Sequence, residues 1–100
     1  MRVRILTSAL KDLSQGRQFY EKQAEGIGAY FFDSVFADID SLALYGGIHC
    51  KMFGFYRMLA HRFPYAIYYK KVSDDLVIVH RVLDCRRDPA RIRRALKSSE

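Results

Sequence analysis

Apolar and polar residues alternate at the start of the chain, where Val3 and Ile5 sit between Arg2 and Arg4. Alternation with period two predicts a short half-buried strand. The period then lengthens. Ala9, Leu13, Tyr20 and Ala24 recur at helical spacing, with Thr7 or Ser8 available as cap and Asp12 in the first turn. Gly16 weakens this helix by about 1 kcal/mol relative to alanine, and Gly26 and Gly28 punctuate its end. Ile27, Phe31, Val35, Ile39 and Leu42 form a second, clearer stripe. Asp33, Asp38 and Asp40 lie mostly off it, and Gly46-Gly47 is a natural stop. Two helices joined by a short glycine-containing turn pair antiparallel, and their shared apolar face calls for a sheet to cover it.

The second half supplies that sheet. Phe55 to Arg62 is a strand candidate in which Tyr56, Met58 and Ala60 alternate with Arg57, Leu59 and His61. Phe63-Pro64 turns the chain into a β-prone run, Tyr65 to Val72. Ser73-Asp74-Asp75 separates it from a second run, Leu76 to Leu83. Strict alternation there puts Val77, Val79, Arg81 and Leu83 on one face. Asp88 and Pro89 suit the N-cap and first turn of a last helix, Ala90 to Lys97. The predicted order is β-α-α-β-β-β with a short C-terminal helix. This is an α+β fold of two antiparallel helices on a small curved antiparallel sheet, within one domain over residues 1–100.

Composition narrows the class. Half the residues are hydrophobic and only two are proline, which argues against disorder. No apolar run approaches the ~20 residues of a membrane span. The N-terminus does not read as a signal peptide. Cys50 and Cys85 match no metal or redox spacing and read as reduced thiols, so the expected location is the cytoplasm.

Charge is lopsided. Residues 1–50 hold five Lys/Arg and six Asp/Glu, a net of −1, whereas residues 51–100 hold twelve and five, a net of +7. The C-terminal half therefore carries the positive field and steers anionic partners toward itself.

No Ser-His-Asp signature, phosphate loop, dinucleotide fingerprint or metal-ligand cluster is present, so no cofactor or metal is expected. His49, His61 and His80 are scattered, and a lone histidine is more often structural than catalytic. What remains is a set of basic and aromatic residues on the later strands: Arg57, His61, Arg62, Tyr65, Arg81, Arg86 and Arg87. Metal-free RNA cleavage needs such a set: a base for the 2′-hydroxyl, a cation for the phosphorane and an acid for the leaving oxygen. Exposed sheet positions are also often Arg, Lys or Tyr for structural reasons alone.

The run Phe63-Pro64-Tyr65-Ala66-Ile67-Tyr68-Tyr69, the strand after it and its ending Arg86-Arg87-Asp88-Pro89 resemble the RelE/ParE superfamily of type II toxin–antitoxin toxins. Upstream, Ala9, Asp12-Leu13, Phe19-Tyr20-Glu21 and the stripe from Gly28 to Leu42 fit the same pattern. The resemblance spans nearly the whole chain and lies closer to ParE than to RelE. It implies a compact toxin, plasmid-stabilisation-like, neutralised by a cognate antitoxin and touching operator DNA only through the antitoxin complex.

Two activities occur in that superfamily. RelE-like members cut mRNA on the ribosome with basic and tyrosine residues of the sheet; ParE-like members inhibit DNA gyrase. Carried over residue by residue, the resemblance matches Arg57 and Arg87. Because some related ribonuclease toxins use histidines, His61 joins them as the catalytic set if the chain is a nuclease, with His80 a further candidate. The basic and aromatic cluster on the later strands gives Arg62, Tyr65, Arg81, Arg86 and Arg87 as candidate target- or antitoxin-binding residues. Leu59 stands where a second basic residue is expected, Tyr65 where an arginine is, and Arg93 near where a tyrosine is. Asp84 replaces the histidine of the usual His-Ala-Arg-Arg-Asp-Pro ending. The resemblance therefore implies gyrase inhibition first, with mRNA cleavage, or a non-toxic relative that only binds antitoxin, as alternatives.

Overall fold

Strand β1 (Arg2–Ile5) opens the chain, and helices α1 (Thr7–Gln23) and α2 (Ile27–Asp40) follow it in a computed structural model that describes residues 1–99. A single turn, α3 (Leu42–Tyr45), leads to β2 (Lys51–Met52), β3 (Phe55–Leu59), β4 (Tyr65–Ser73), β5 (Leu76–Asp84) and α4 (Pro89–Lys97). The sheet order is β1-β5-β4-β3-β2. The later strands pair antiparallel, as the alternation predicted. β1 adds at the far edge parallel to β5, with Val3 opposite Val77, so the sheet is mixed. This parallel pairing is possible because α1 and α2 lie on the crossover between the two strands.

The sheet carries helices on both faces. On one, Ala9, Leu13, Phe31, Val35, Ile39 and Leu42 pack against Met58, Tyr65, Ile67, Tyr69, Val77 and Val79. On the other, Ile92 and Leu96 of α4 cover Phe55, Ala66, Tyr68 and Leu83. Asp88 Oδ1 accepts the Ala90 amide at 3.0 Å, so the expected N-cap forms and Pro89 occupies the first turn.

Four local expectations are corrected. α1 is preceded by Leu6 with no side-chain cap, and the Ser8 hydroxyl donates to the His80 carbonyl at 2.6 Å instead. Asp12 lies a full turn beyond the helix start and is buried. Asp38 is buried too, on the stripe of α2 rather than off it. In β5 the pairing jumps from Tyr68–Arg81 to Tyr69–Val79, leaving His80 as the extra residue of a bulge. The bulge moves Val82 to the helix-hairpin face with Val77 and Val79, and Leu83 to the α4 face. Strict alternation misses this because it assumes an unbroken ladder.

Candidate functional site

The end of β5 is built by Asp84. Its Oδ1 accepts the Arg86 amide at 2.8 Å and Nε at 2.9 Å, and its Oδ2 accepts an Arg86 terminal nitrogen at 2.7 Å. The backbone turns within two residues, the Cys85 amide donates to the Pro64 carbonyl at 2.8 Å, and α4 begins. Arg86 is thus held in a bidentate ion pair. Hydrogen bonding from Arg86 holds the Asp84 carboxyl below its ordinary range, and the same pairing holds Arg86 firmly cationic. Arg87 has no ion pair among the described residues and faces a cleft of about 250 Å³. Asp12, Phe19, Tyr65, Val82 and Asp84 also line that cleft.

Tyr65 stands in this cleft against Tyr20 and Phe31. Burial pushes its phenol up to about 12; Tyr20 and Asp84 add to this, and Arg87 and Arg86 oppose it. A phenol in that range stays protonated at neutral pH and is poorly matched to act as a base there. Burial raises Tyr20 in the same way, with Arg86 opposing.

Arg81 is placed differently from the other candidates. Its Nε and a terminal nitrogen donate to the two Asp12 oxygens at 2.7 and 2.9 Å, and its other terminal nitrogen donates to the Ala95 carbonyl at 2.9 Å. The side chains are only 16% and 5% exposed. Arg81 therefore ties α1 and α4 to β5. Asp12 Oδ2 also accepts the Val82 amide at 3.0 Å. With Leu6 N bonded to the Val79 carbonyl and Ser8 to that of His80, α1 closes the sheet edge that short β1 leaves open.

Arg57 and His61 share a groove beside β3. Both line a mostly apolar groove of about 770 Å³ with Tyr45, Ile48, Met58 and Leu59. Arg57 Nε donates to the Tyr68 hydroxyl at 3.2 Å, and a terminal nitrogen reaches Cys85 Sγ at 3.6 Å. Burial opposes its charge, but Tyr68 and Cys85 more than offset this. Asp38 holds His61 from two directions: Oδ2 accepts its amide at 3.0 Å and Oδ1 lies 2.6 Å from ring Nδ1. The His61 ring is 77% exposed. Burial lowers the pKa of nearby His49, whose Nδ1 is hydrogen-bonded to the Tyr69 hydroxyl. Arg62 points elsewhere, donating to the Tyr30 hydroxyl at 3.0 Å.

The structure thus brings Tyr65, Arg86 and Arg87 together at one cleft and Arg57 and His61 at another. It gives Arg81 to the interior and Arg62 to the α2 surface. Two carboxylates that organise these sites, Asp12 and Asp38, were not among the candidates. Both fall inside buried helical stripes, Asp12 three residues after Ala9 and Asp38 three after Val35, and an acid at such a position signals a buried partner.

No family model matches the chain, and no curated protein sequence matches it. Solved structures do match. A chain of the chromosomal ParDE TA system from P. aeruginosa superposes with a TM-score of 0.70 at 13% identity, covering 82% of this chain and 92% of that one. The chain therefore shares the fold of that ParDE-system chain.

Proposed function

We propose that this chain is the toxin of a toxin–antitoxin pair and inhibits growth by binding DNA gyrase. The observation that carries this reading is the separation of the nuclease candidates. Arg57 is tied to Tyr68 of β4 and to Cys85 and lines the β3 groove, whereas Arg87 lines the α1–β5 cleft. The two arginines line different clefts, which counts against a single phosphodiester site built from both. Tyr65, a phenol protonated at neutral pH and pushed further up by burial, adds no ready base beside Arg87. Arg87 and the Asp84-anchored Arg86 suit an acidic surface of a protein target. Gyrase as target would make the cytoplasm the site of action.

Supercoiling by purified gyrase should fall as the protein is added, and Arg87→Glu should relieve this while Arg86→Ala relieves it less, because Asp84 already engages Arg86. Full supercoiling at excess protein would remove the gyrase reading.

The antitoxin is the proposed occupant of the groove between α3 and β3. Tyr45, Ile48 and Leu59 are exposed apolar residues there. β3 runs past the two-residue β2, so Leu59 presents a strand edge that a peptide can extend. Ile48→Asp with Leu59→Asp should abolish antitoxin binding and leave gyrase inhibition intact.

One observation favours mRNA cleavage as a second reading. His61, oriented by Asp38, shares its groove with Arg57, which places an acid–base pair near a cation. Primer extension after induction should then show new 5′ ends within codons, lost in His61→Ala. Intact transcripts during growth arrest would remove it.

A further inference from the structure

The β2–β3 turn is made by Phe53 and Gly54, both in the left-handed region at φ 55° and 82°. Such turns favour Asn-Gly or Gly-Gly, because residues with a Cβ are strained there. A phenylalanine at the first position is the costly choice for folding. Its ring is 41% exposed and lies between two clefts of about 540 and 420 Å³, both of which it lines. The remaining walls come mainly from α4: Arg93 and Lys97 line both clefts, and Arg94 lines the larger. Among the described residues no acidic side chain lines either. Arg93, Arg94 and Lys97 have no ion pair among the described residues. The Arg93 guanidinium sits over the Phe53 ring, 5.8 Å from its centroid.

We propose that α4 and the β2–β3 turn form a binding face for single-stranded nucleic acid. Phe53 offers a flat ring to an unstacked base, and Arg93, Arg94 and Lys97 take the flanking phosphates. Charge complementarity selects a polyanion. The presented aromatic selects a single strand, since bases inside a duplex have no free face to stack. The face is separate from the Arg87 cleft and from the groove proposed for the antitoxin, so it stands or falls independently of the gyrase reading.

The test is fluorescence anisotropy with labelled oligothymidylate and oligouridylate of about 12 nucleotides, against a duplex of equal length, over about 50 to 200 mM salt. Single strands should bind more tightly than duplex; preference between the two strands identifies DNA or RNA as the source. Phe53→Gly relieves the backbone strain, so it should keep or raise the melting temperature while weakening binding about tenfold. Phe53→Trp should retain binding. Replacing Arg93, Arg94 and Lys97 by alanine should reduce the slope of log affinity against log salt by about 2. Absence of binding at low salt, duplex binding as tight as single-strand binding, or unchanged affinity in Phe53→Gly would each overturn the proposal.

Discussion

The Asp12 carboxylate accepts three hydrogen bonds, two from the Arg81 guanidinium and one from the Val82 amide. It is 5% exposed, so these bonds form where water competes little. Removing one partner of such a pair leaves the other charge buried and uncompensated, at a cost of about 3 to 5 kcal/mol. Asp12→Ala should therefore lower the urea midpoint sharply, and Asp12→Ala with Arg81→Met should recover much of the loss. A single variant within about 1 kcal/mol of wild type would show that the pair is well solvated. At this scale the sequence was half legible. The buried arc of α1 contains Ala9, Asp12, Leu13 and Gly16, and that spacing marks Asp12 as an acid turned inward. Its partner could not be read, because Arg81 lies 69 residues away and no local rule connects them. His61 and Asp38, 23 residues apart, were hidden for the same reason. Arg86 and Arg87 were legible as a pair. Their inequality was not, since it depends on which of them Asp84 engages.

Among the elements, α1 and α2 were legible from their stripes, and β4, β5 and α4 from β-prone runs and the Asp-Pro start. The parallel docking of β1 on β5 was not, because it is fixed by a crossover of two helices rather than by alternation. Gly16 shows how an element and its packing can give opposite signals. By propensity it weakens α1, so Gly16→Ala should stabilise by about 1 kcal/mol. In the folded chain a Cβ at Gly16 would lie 2.5 Å from the Phe31 ring. Phe31 is itself wedged against Tyr20, Phe63 and Tyr65, so it has little room to move. Overpacking of that kind costs about 1 to 3 kcal/mol, more than propensity returns. Gly16→Ala should therefore lower the melting temperature by several degrees. The same substitution in a Phe31→Leu background should be neutral or stabilising. A rise in melting temperature in the wild-type background would mean that the α1–α2 hairpin yields more easily than its ring packing implies.

For the whole molecule, the two-sided sheet places phenols in its interior, and this sets the pH range of stability. Burial raises the pKa of Tyr20, Tyr65 and Tyr69, with Tyr65 shifted to about 12. An unfolded tyrosine titrates near 10. Between these values the unfolded chain releases its proton while the folded chain retains it. The stabilisation is therefore fully present below about pH 10 and is lost as the pH rises through about 12. On the acid side the shifts are reversed. His49 is lowered by burial, so its contribution is complete above about pH 6.5 and declines as the pH falls. Asp84 is lowered by Arg86 and acts further down, below about pH 4. Urea midpoints measured across pH should thus be flat between about pH 7 and 10 and fall on both sides. Tyr65→Phe removes the largest alkaline shift, so its decline above about pH 10 should be shallower than that of the wild type. Carbon NMR of the labelled phenol reads the same group directly, with an expected midpoint of about 12. A Tyr65 midpoint near 10 would mean that water reaches the cleft beside Arg87. Tyr65 would then be solvated, and its phenol would still be protonated at neutral pH.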